Sequence, residues 1–214
     1  MDADGDTELH SAIIFQEPER ALYLIAAKPE LIDRKNDLQQ TPLYLAARTN
    51  QFAVLKRLVE AGADVSARSS KTGNTVLHDL CLSGNSELLK ELTELLDDKD
   101  DNVWNAKNYA GSTCLHSAVE EGLLDVVGVL LKVASVDKNA ARGTDGKTAV
   151  SLASWNGDAN MVKLLLNAGC DCNSKCWNGS TAFDVARSRE HWSVMLELAT
   201  RGAARNDDEE DESL

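Results

Sequence analysis

The sequence contains little proline and few aromatic side chains, with three prolines and 5% Phe, Trp and Tyr among 214 residues. Strand-rich folds draw on aromatic and β-branched residues, so this composition favours an all-α protein. No apolar run approaches the roughly 20 residues that span a bilayer. The acidic first residues differ from the basic and then apolar start of a secretory signal. We therefore expect an intracellular protein that has no membrane partner.

Basic residues are also scarce, with 22 Lys and Arg against 35 Asp and Glu and a net charge of -13. Such a chain repels phosphates, so we expect no direct nucleic-acid partner, whereas a basic protein surface would be attracted. The five cysteines are an odd number and lack the spacing of a disulfide framework. We expect reduced thiols and a cytoplasmic protein, with entry into the nucleus left open.

Two short patterns resemble parts of a zinc site and of a phosphate-binding loop, but each lacks residues that such a site requires. Cys170, Cys172 and Cys176 lack C-x-x-C spacing and a fourth ligand nearby in the sequence, so we interpret them as free, partly exposed thiols rather than as a zinc site. The segment 146–148, Gly-Lys-Thr, resembles the end of a phosphate-binding loop, but Ala141 replaces the required first glycine. No nucleophile–base pair stands out. We therefore expect no enzyme, no metal and no cofactor.

A short pattern that begins with threonine recurs six times. The threonines are Thr7, Thr41, Thr75, Thr113, Thr148 and Thr181, at spacings of 34, 34, 38, 35 and 33 residues. A threonine suits the cap of a first helix, and a second apolar helix follows it. Between the two helices, Gly84, Gly122 and Gly157 suit a turn that needs positive φ, and Asn50 tolerates the same conformation. The period therefore predicts paired helices that must stack to bury their apolar faces.

This pattern resembles the ankyrin repeat, with its T-P-L-H-x-A signature at about 33 residues. The resemblance implies an all-α ankyrin repeat solenoid of about six helix-turn-helix repeats with short β-hairpin fingers. We place it in a single domain, residues 4–206, followed by an acidic disordered tail, 207–214. The predicted repeats are approximately 4–36, 37–70, 71–107, 108–142, 143–175 and 176–206. His10, His78 and His116 share one repeat position, which favours a structural hydrogen-bonding role.

Several stretches go beyond the ankyrin consensus. They are the openings of repeats one, two and four, at 4–14, 36–43 and 108–116, together with a lengthened third repeat and an acidic tail. These features resemble the inhibitor of nuclear factor kappa-B family, which includes Cactus. The resemblance implies binding and inhibition of a Rel/NF-kappa-B-type transcription factor dimer, masking of its nuclear localisation segment and opposition to DNA binding. The alternative is a generic ankyrin adaptor with an unrelated partner, and we expect a monomer when free.

The predicted partner-binding residues form three groups. Acids of the first repeats can attract a Lys/Arg-rich segment, and the predicted residues there are Asp4, Asp6, Glu17, Glu19, Asp37 and Gln39. Aromatic side chains at finger tips, away from any core, are suited to anchor a partner, and the predicted residues are Tyr109 and Trp177. The tail can mimic a phosphate backbone and repel DNA, or can be a solvated end, and its acids are Asp207, Asp208, Glu209, Glu210, Asp211 and Glu212.

Three further features stay open at this point. Trp104 can pack locally near the long loop, and Trp155 can face either the groove or the next repeat. The family's degradation switch is a pair of serines in an acidic N-terminal extension, and none of the three residues before Asp4 is serine. We therefore expect this chain, as it stands, not to be switched off by that route, whether it is a trimmed protein or a constitutive inhibitor.

Overall fold

The computed structural model describes residues 4–96 and 101–203, and within these ranges it contains helices and turns but no β-strand. The helices are α1 (Glu8–Ile14), α2 (Pro18–Ala27), α3 (Pro42–Arg48), α4 (Phe52–Glu60), α5 (Val76–Leu82), α6 (Ser86–Leu95), α7 (Asp101–Trp104), α8 (Cys114–Glu120), α9 (Leu124–Leu130), α10 (Ala149–Asn156), α11 (Ala159–Asn167), α12 (Ala182–Ser188) and α13 (Trp192–Thr200), with a 3-10 turn at Pro29–Leu31.

The chain divides into two compact units, Met1–Tyr109 and Ala110–Leu214. In the first unit α1 packs on α3 and α3 on α5, while α2 packs on α4 and α4 on α6. In the second unit α8, α10 and α12 form one such row, and α9, α11 and α13 form the other. The six helix pairs confirm the predicted helix-turn-helix repeats. The domain bounds 4–206 and the individual repeat bounds stay predictions.

The first helix of each pair begins directly after a threonine of the repeated pattern. Thr41 Oγ1 accepts a hydrogen bond from Tyr44 N at 3.2 Å, so the hydroxyl satisfies one of the backbone donors that a helix start leaves unpaired. Thr113 caps α8 in the same way through His116 N. The repeated threonine therefore fixes where each first helix starts.

The repeated histidines connect a helix start to the following turn. Thr113 N donates to His116 Nδ1 at 3.1 Å, and His116 Nε2 lies 3.2 Å from Lys147 O. Since Nδ1 accepts a backbone proton, the ring proton is on Nε2 and is donated to the Lys147 carbonyl. His10 repeats the arrangement, with its Nε2 3.0 Å from Gln40 O. These contacts confirm the predicted structural role of the histidines.

The turns inside the helix pairs need left-handed backbone. Gly84, Gly122 and Gly157 have φ of 73°, 69° and 75°, and Asn50 has φ of 59°. These values confirm the prediction made from the sequence. Gln16 and Glu190 take the same conformation, with φ of 57° and 60°, although neither residue type favours it.

Replacing His116 by alanine is expected to lower the free energy of unfolding by about 2–3 kcal/mol. His116 is 1% exposed, so its loss leaves Thr113 N and Lys147 O without their partner in a buried place. Denaturant unfolding followed by circular dichroism measures the change.

The control for this experiment is His191→Ala. His191 Nε2 also contacts a carbonyl, Trp155 O at 3.2 Å, but this contact is exposed to solvent. A loss of stability at His191 equal to that at His116 would contradict the role assigned to the buried ring.

Candidate partner-binding site

The fingers between helix pairs are joined to one another by backbone hydrogen bonds. In the first unit Tyr109 N donates to Thr72 O at 2.9 Å, and in the second Trp177 N donates to Asp145 O at 3.1 Å. Asp37 N donates to Asp4 O at 3.1 Å in the same way. The backbone of each of these fingers is therefore positioned by the finger that precedes it.

The two predicted finger aromatics, Tyr109 and Trp177, are seated on glycines. A Cβ atom at Gly73 would overlap the Tyr109 ring, and one at Gly146 would overlap the Trp177 ring. Both glycines also have positive φ, 70° and 73°. Each aromatic side chain nevertheless remains 67% exposed. Part of each ring is thus fixed against backbone while the rest is available for contact, which is the arrangement expected of an aromatic anchor.

Trp155 lines a groove beside Trp177, and residues of the next repeat, among them Asp184 and Ser188, line the same groove. The two positions that the sequence left open for Trp155, facing a groove or facing the next repeat, therefore coincide. The groove has a volume of about 480 Å³, and its lining includes both tryptophans, Asp145 and Lys147. Trp155 is 42% exposed, and Lys147 Nζ and Arg189 Cζ lie 3.9 Å and 4.0 Å from its ring centroid. Both distances are within cation–π range, so the two cations hold the Trp155 ring in place.

An ion-pair cluster supports this groove. Asp145 accepts from Arg142 Nε at 2.9 Å and from Arg142 Nη2 at 2.5 Å, and Lys147 Nζ lies 3.4 Å from Asp145 Oδ2. Arg142 also pairs with Glu120. The hydrogen bonds from Arg142 hold the pKa of the Asp145 carboxyl far below its usual range. Asp145 is therefore charged at neutral pH and keeps its ion pair with Arg142. This pair stabilises the finger whose Asp145 carbonyl accepts the hydrogen bond from Trp177 N.

Among the acids predicted at the first repeat, Asp6 and Glu17 already have contacts within the protein. Asp6 Oδ1 accepts from Asn36 Nδ2 at 2.8 Å, and Glu17 Oε2 lies 2.8 Å from Arg20 Nη1. Asp4 and Glu19 are exposed. A basic segment docking here would therefore meet three exposed acids, Asp4, Glu17 and Glu19, of which Glu17 is already paired with Arg20.

The predicted residues of the second finger lie on the surface. Asp37 is exposed, and its carboxylate packs against Gly5, where a Cβ atom would overlap it. Gln39 is exposed, with φ of 59°. The six predicted tail acids, 207–212, lie outside the described residues, and so do residues 97–100 of the long third-repeat loop.

The cysteine prediction was wrong in one respect. Cys170, Cys172 and Cys176 are buried rather than partly exposed. Burial raises the pKa of the Cys170 thiol to about 11, so this side chain is a protonated apolar group at neutral pH. Trp104, whose place the sequence left open, is 1% exposed and belongs to the core of the first unit.

Sequence reasoning missed several exposed aromatic and aliphatic side chains. Tyr23 on α2 is 70% exposed, and Trp192 and Leu196 on α13 are 71% and 69% exposed. A helical apolar pattern does not separate the side chains that meet a neighbouring helix from those that do not. It also missed the pairing of Arg189 with Trp155, which are separated by 34 positions, about one repeat.

Within residues 4–96 and 101–203, no group of three or more His, Cys, Asp or Glu side chains is placed to hold a metal ion. None of the helices in these ranges combines the length and hydrophobicity needed to cross a membrane.

Family models match most of the chain. A model described as ankyrin repeats (3 copies) matches residues 1–69 and 67–141, and one described as ankyrin repeats (many copies) matches residues 140–186. The fold and these matches define an ankyrin-repeat protein.

Two relatives indicate which group of ankyrin-repeat proteins the chain resembles. NF-kappa-B inhibitor alpha of Gallus gallus is 34% identical over 204 residues, which cover 91% of this chain and 62% of that protein. B-cell lymphoma 3 protein homolog of Mus musculus is 33% identical over 207 residues, which cover 95% and 45%. The chain thus spans less than two thirds of the length of either relative.

A solved structure agrees with these relatives. It is the ankyrin repeat domain of Bcl-3, described as a member of the IkappaB protein family, with a TM-score of 0.85 and 31% identity. The match covers 94% of this chain and 88% of that domain. The chain belongs to the inhibitor of nuclear factor kappa-B family of ankyrin-repeat proteins.

The electrostatic cluster under the Trp155–Trp177 groove predicts a pH dependence. Because the pKa of Asp145 is lowered on folding, its contribution is present above the unfolded pKa of about 4 and is lost as pH falls below it. Asp145→Asn should therefore reduce stability at pH 7, on the order of 1 kcal/mol after solvent screening. The difference from the parent chain should shrink between about pH 5 and pH 2, as measured by denaturant unfolding at each pH.

Asp125→Asn is the matched control, since Asp125 is exposed on α9. A pH-independent difference for Asp145→Asn, or the same pH profile in both variants, would rule out the assigned ion pairing.

Proposed function

We propose that the chain binds and inhibits a Rel/NF-kappa-B-type transcription factor dimer, masking its nuclear localisation segment and opposing its binding to DNA. In this proposal the chain is a cytoplasmic monomer until it meets the dimer. Membership of the inhibitor family supports the kind of partner, and a relative is named NF-kappa-B inhibitor alpha.

The observation that carries the proposal is the seating of Tyr109 and Trp177 on the glycines of the preceding fingers. Most of each ring is exposed, yet its position is fixed by Gly73 or Gly146 and by a backbone hydrogen bond. An anchor that is ordered before binding loses less conformational entropy on association. Such rings suit contacts with a large protein partner.

Charge supports a division of roles along the chain. Asp4 and Glu19 are exposed, so they can attract a Lys/Arg-rich segment at the first repeat. Glu8 is less suited, because a hydrogen bond from Lys28 at 2.8 Å engages it and lowers its pKa. The proposal therefore assigns the basic nuclear localisation segment to the first repeat and the dimerisation domains to the later fingers.

Trp177→Ala and Tyr109→Ala are each expected to weaken binding of a Rel homology dimer by about 1–3 kcal/mol, or roughly 5-fold to 150-fold. The loss follows because each ring is a large, ordered and exposed contact. Isothermal titration calorimetry of the full chain against the dimer gives the dissociation constants.

Trp192→Ala and Tyr23→Ala are the matched controls, since these side chains are 71% and 70% exposed but lie on helices α13 and α2. Equal weakening by a control and its finger variant would remove the finger assignment. Unchanged affinity in both finger variants would remove the aromatic anchors from the proposal.

The tail is tested with a Rel homology dimer bound to labelled DNA. We expect the full chain to displace the DNA, and a chain ending at residue 206 to do so less well. This difference should shrink as salt rises, because repulsion between the tail acids and phosphates is screened. Fluorescence anisotropy of the DNA follows the displacement.

A third chain, in which the six tail acids are replaced by Asn and Gln, separates charge from length. Displacement that truncation leaves unchanged would make the tail a solvated end while the inhibitor function stands. Failure to bind any Rel dimer tested would leave the chain as an ankyrin adaptor with an unrelated partner.

A further inference from the structure

A second groove lies in the first unit, between two fingers and helix α3. Its volume is about 330 Å³. It is lined by Leu38, Gln39, Gln40, Thr41, Tyr44, Arg48, Ala67, Arg68, Ser69 and Lys71. Three of these residues are cationic and none is acidic, although the whole chain has a net charge of -13.

The three cations of the groove are Arg48, Arg68 and Lys71. In the part of the chain that the structure describes, none of them is paired with a carboxylate. By contrast, Arg20, Lys28 and Arg57 lie on exposed surfaces and are each paired with an acid. The groove is therefore a local positive site on a negatively charged protein.

Two acids near the groove, Asp37 and Asp79, have contacts of their own outside its lining. The Asp37 carboxylate packs against Gly5 of the preceding finger. Asp79 is half-buried on α5, and its Oδ1 accepts from Asn74 Nδ2 at 3.0 Å. Burial raises the pKa of Asp79, while the positive charge of Arg48 opposes that rise. The groove itself stays lined only by cationic, polar and apolar groups.

The apolar part of the lining indicates what kind of anion fits. Leu38 is 58% exposed at the groove, and the Tyr44 ring lies beside Arg48, whose Cζ is 5.6 Å from the ring centroid. Arg68 is braced by hydrogen bonds to the carbonyls of Gly73 and Lys107. An acidic peptide offers carboxylates to the cations and also aliphatic side chains to Leu38 and Tyr44. A phosphate backbone offers anionic groups but no aliphatic side chains.

We propose that this groove binds an acidic segment of a protein partner, with its carboxylates on Arg48, Arg68 and Lys71 and an aliphatic side chain against Leu38 and Tyr44. The segment is opposite in charge to the basic segment assigned to the first repeat. The first unit then selects a partner that offers a basic stretch to the first repeat and an acidic stretch to this groove. This site does not depend on the finger aromatics or on the tail.

The test uses the full chain and a fluorescein-labelled peptide of about twelve residues, about half of them glutamate, with two leucines. Its match has glutamine in place of every glutamate. We expect the acidic peptide to bind, the glutamine peptide to bind at least about tenfold more weakly, and the affinity to fall as salt rises. Fluorescence anisotropy measures both peptides.

The variant is Arg48→Gln with Lys71→Gln, which spares Arg68 because its hydrogen bonds hold the finger. It should weaken the acidic peptide at least about tenfold. The control, Lys56→Gln with Lys90→Gln, removes the same charge from exposed positions on α4 and α6 and should stay within about twofold of the parent. Circular dichroism checks that both variants fold.

Three outcomes would overturn the proposal. Equal weakening in the control pair would make the effect one of net charge. An oligothymidylate that binds the parent chain as tightly as the acidic peptide does, and that no longer binds the groove variant, would identify a phosphate site. Self-association of the chain in analytical ultracentrifugation that disappears in the groove variant would assign the groove to a second copy.

Discussion

The arrangement of the proposed binding surface depends on contacts between one finger and the next. A backbone hydrogen bond, a side chain seated on a glycine and a histidine reaching a carbonyl of the following turn all connect neighbouring repeats. No single repeat supplies both partners of these contacts, so the order of a finger depends on stacking. The exposed rings of Tyr109 and Trp177 owe their fixed positions to this dependence.

The charge of individual surface regions differs from the net charge of the whole chain. Hydrogen bonds from Arg142 keep the Asp145 carboxyl charged, and this cluster braces a finger of the second unit. Arg48 and Lys71 lie in a groove that contains no acid, although acids outnumber bases across the chain. In the proposed complex, net charge would set the long-range attraction of a partner, whereas individual grooves would decide which of its segments docks in each place.

Much of the fold was predictable because each local signal has a direct physical cause. The threonine period located the first helices, and glycine or asparagine located four turns with positive φ. Gln16 and Glu190 adopt the same backbone with no favourable residue type, so nothing in the sequence marks those turns. The place of the finger aromatics in the repeat was enough to predict them. The pairing of Trp155 with Arg189 and the convergence of cations in the groove depend on how neighbouring repeats stack, which the sequence pattern does not show.

The seating of a finger side chain on the glycine of the preceding finger has a consequence for how such a chain can be rearranged. The structural module that defines an anchor runs from Gly73 to Tyr109, or from Gly146 to Trp177, and so begins in one sequence repeat and ends in the next. A transplanted repeat would carry its aromatic ring without its seat. Recombination or grafting that preserves such a contact therefore has to transfer two consecutive fingers together with the complete helix pair between them.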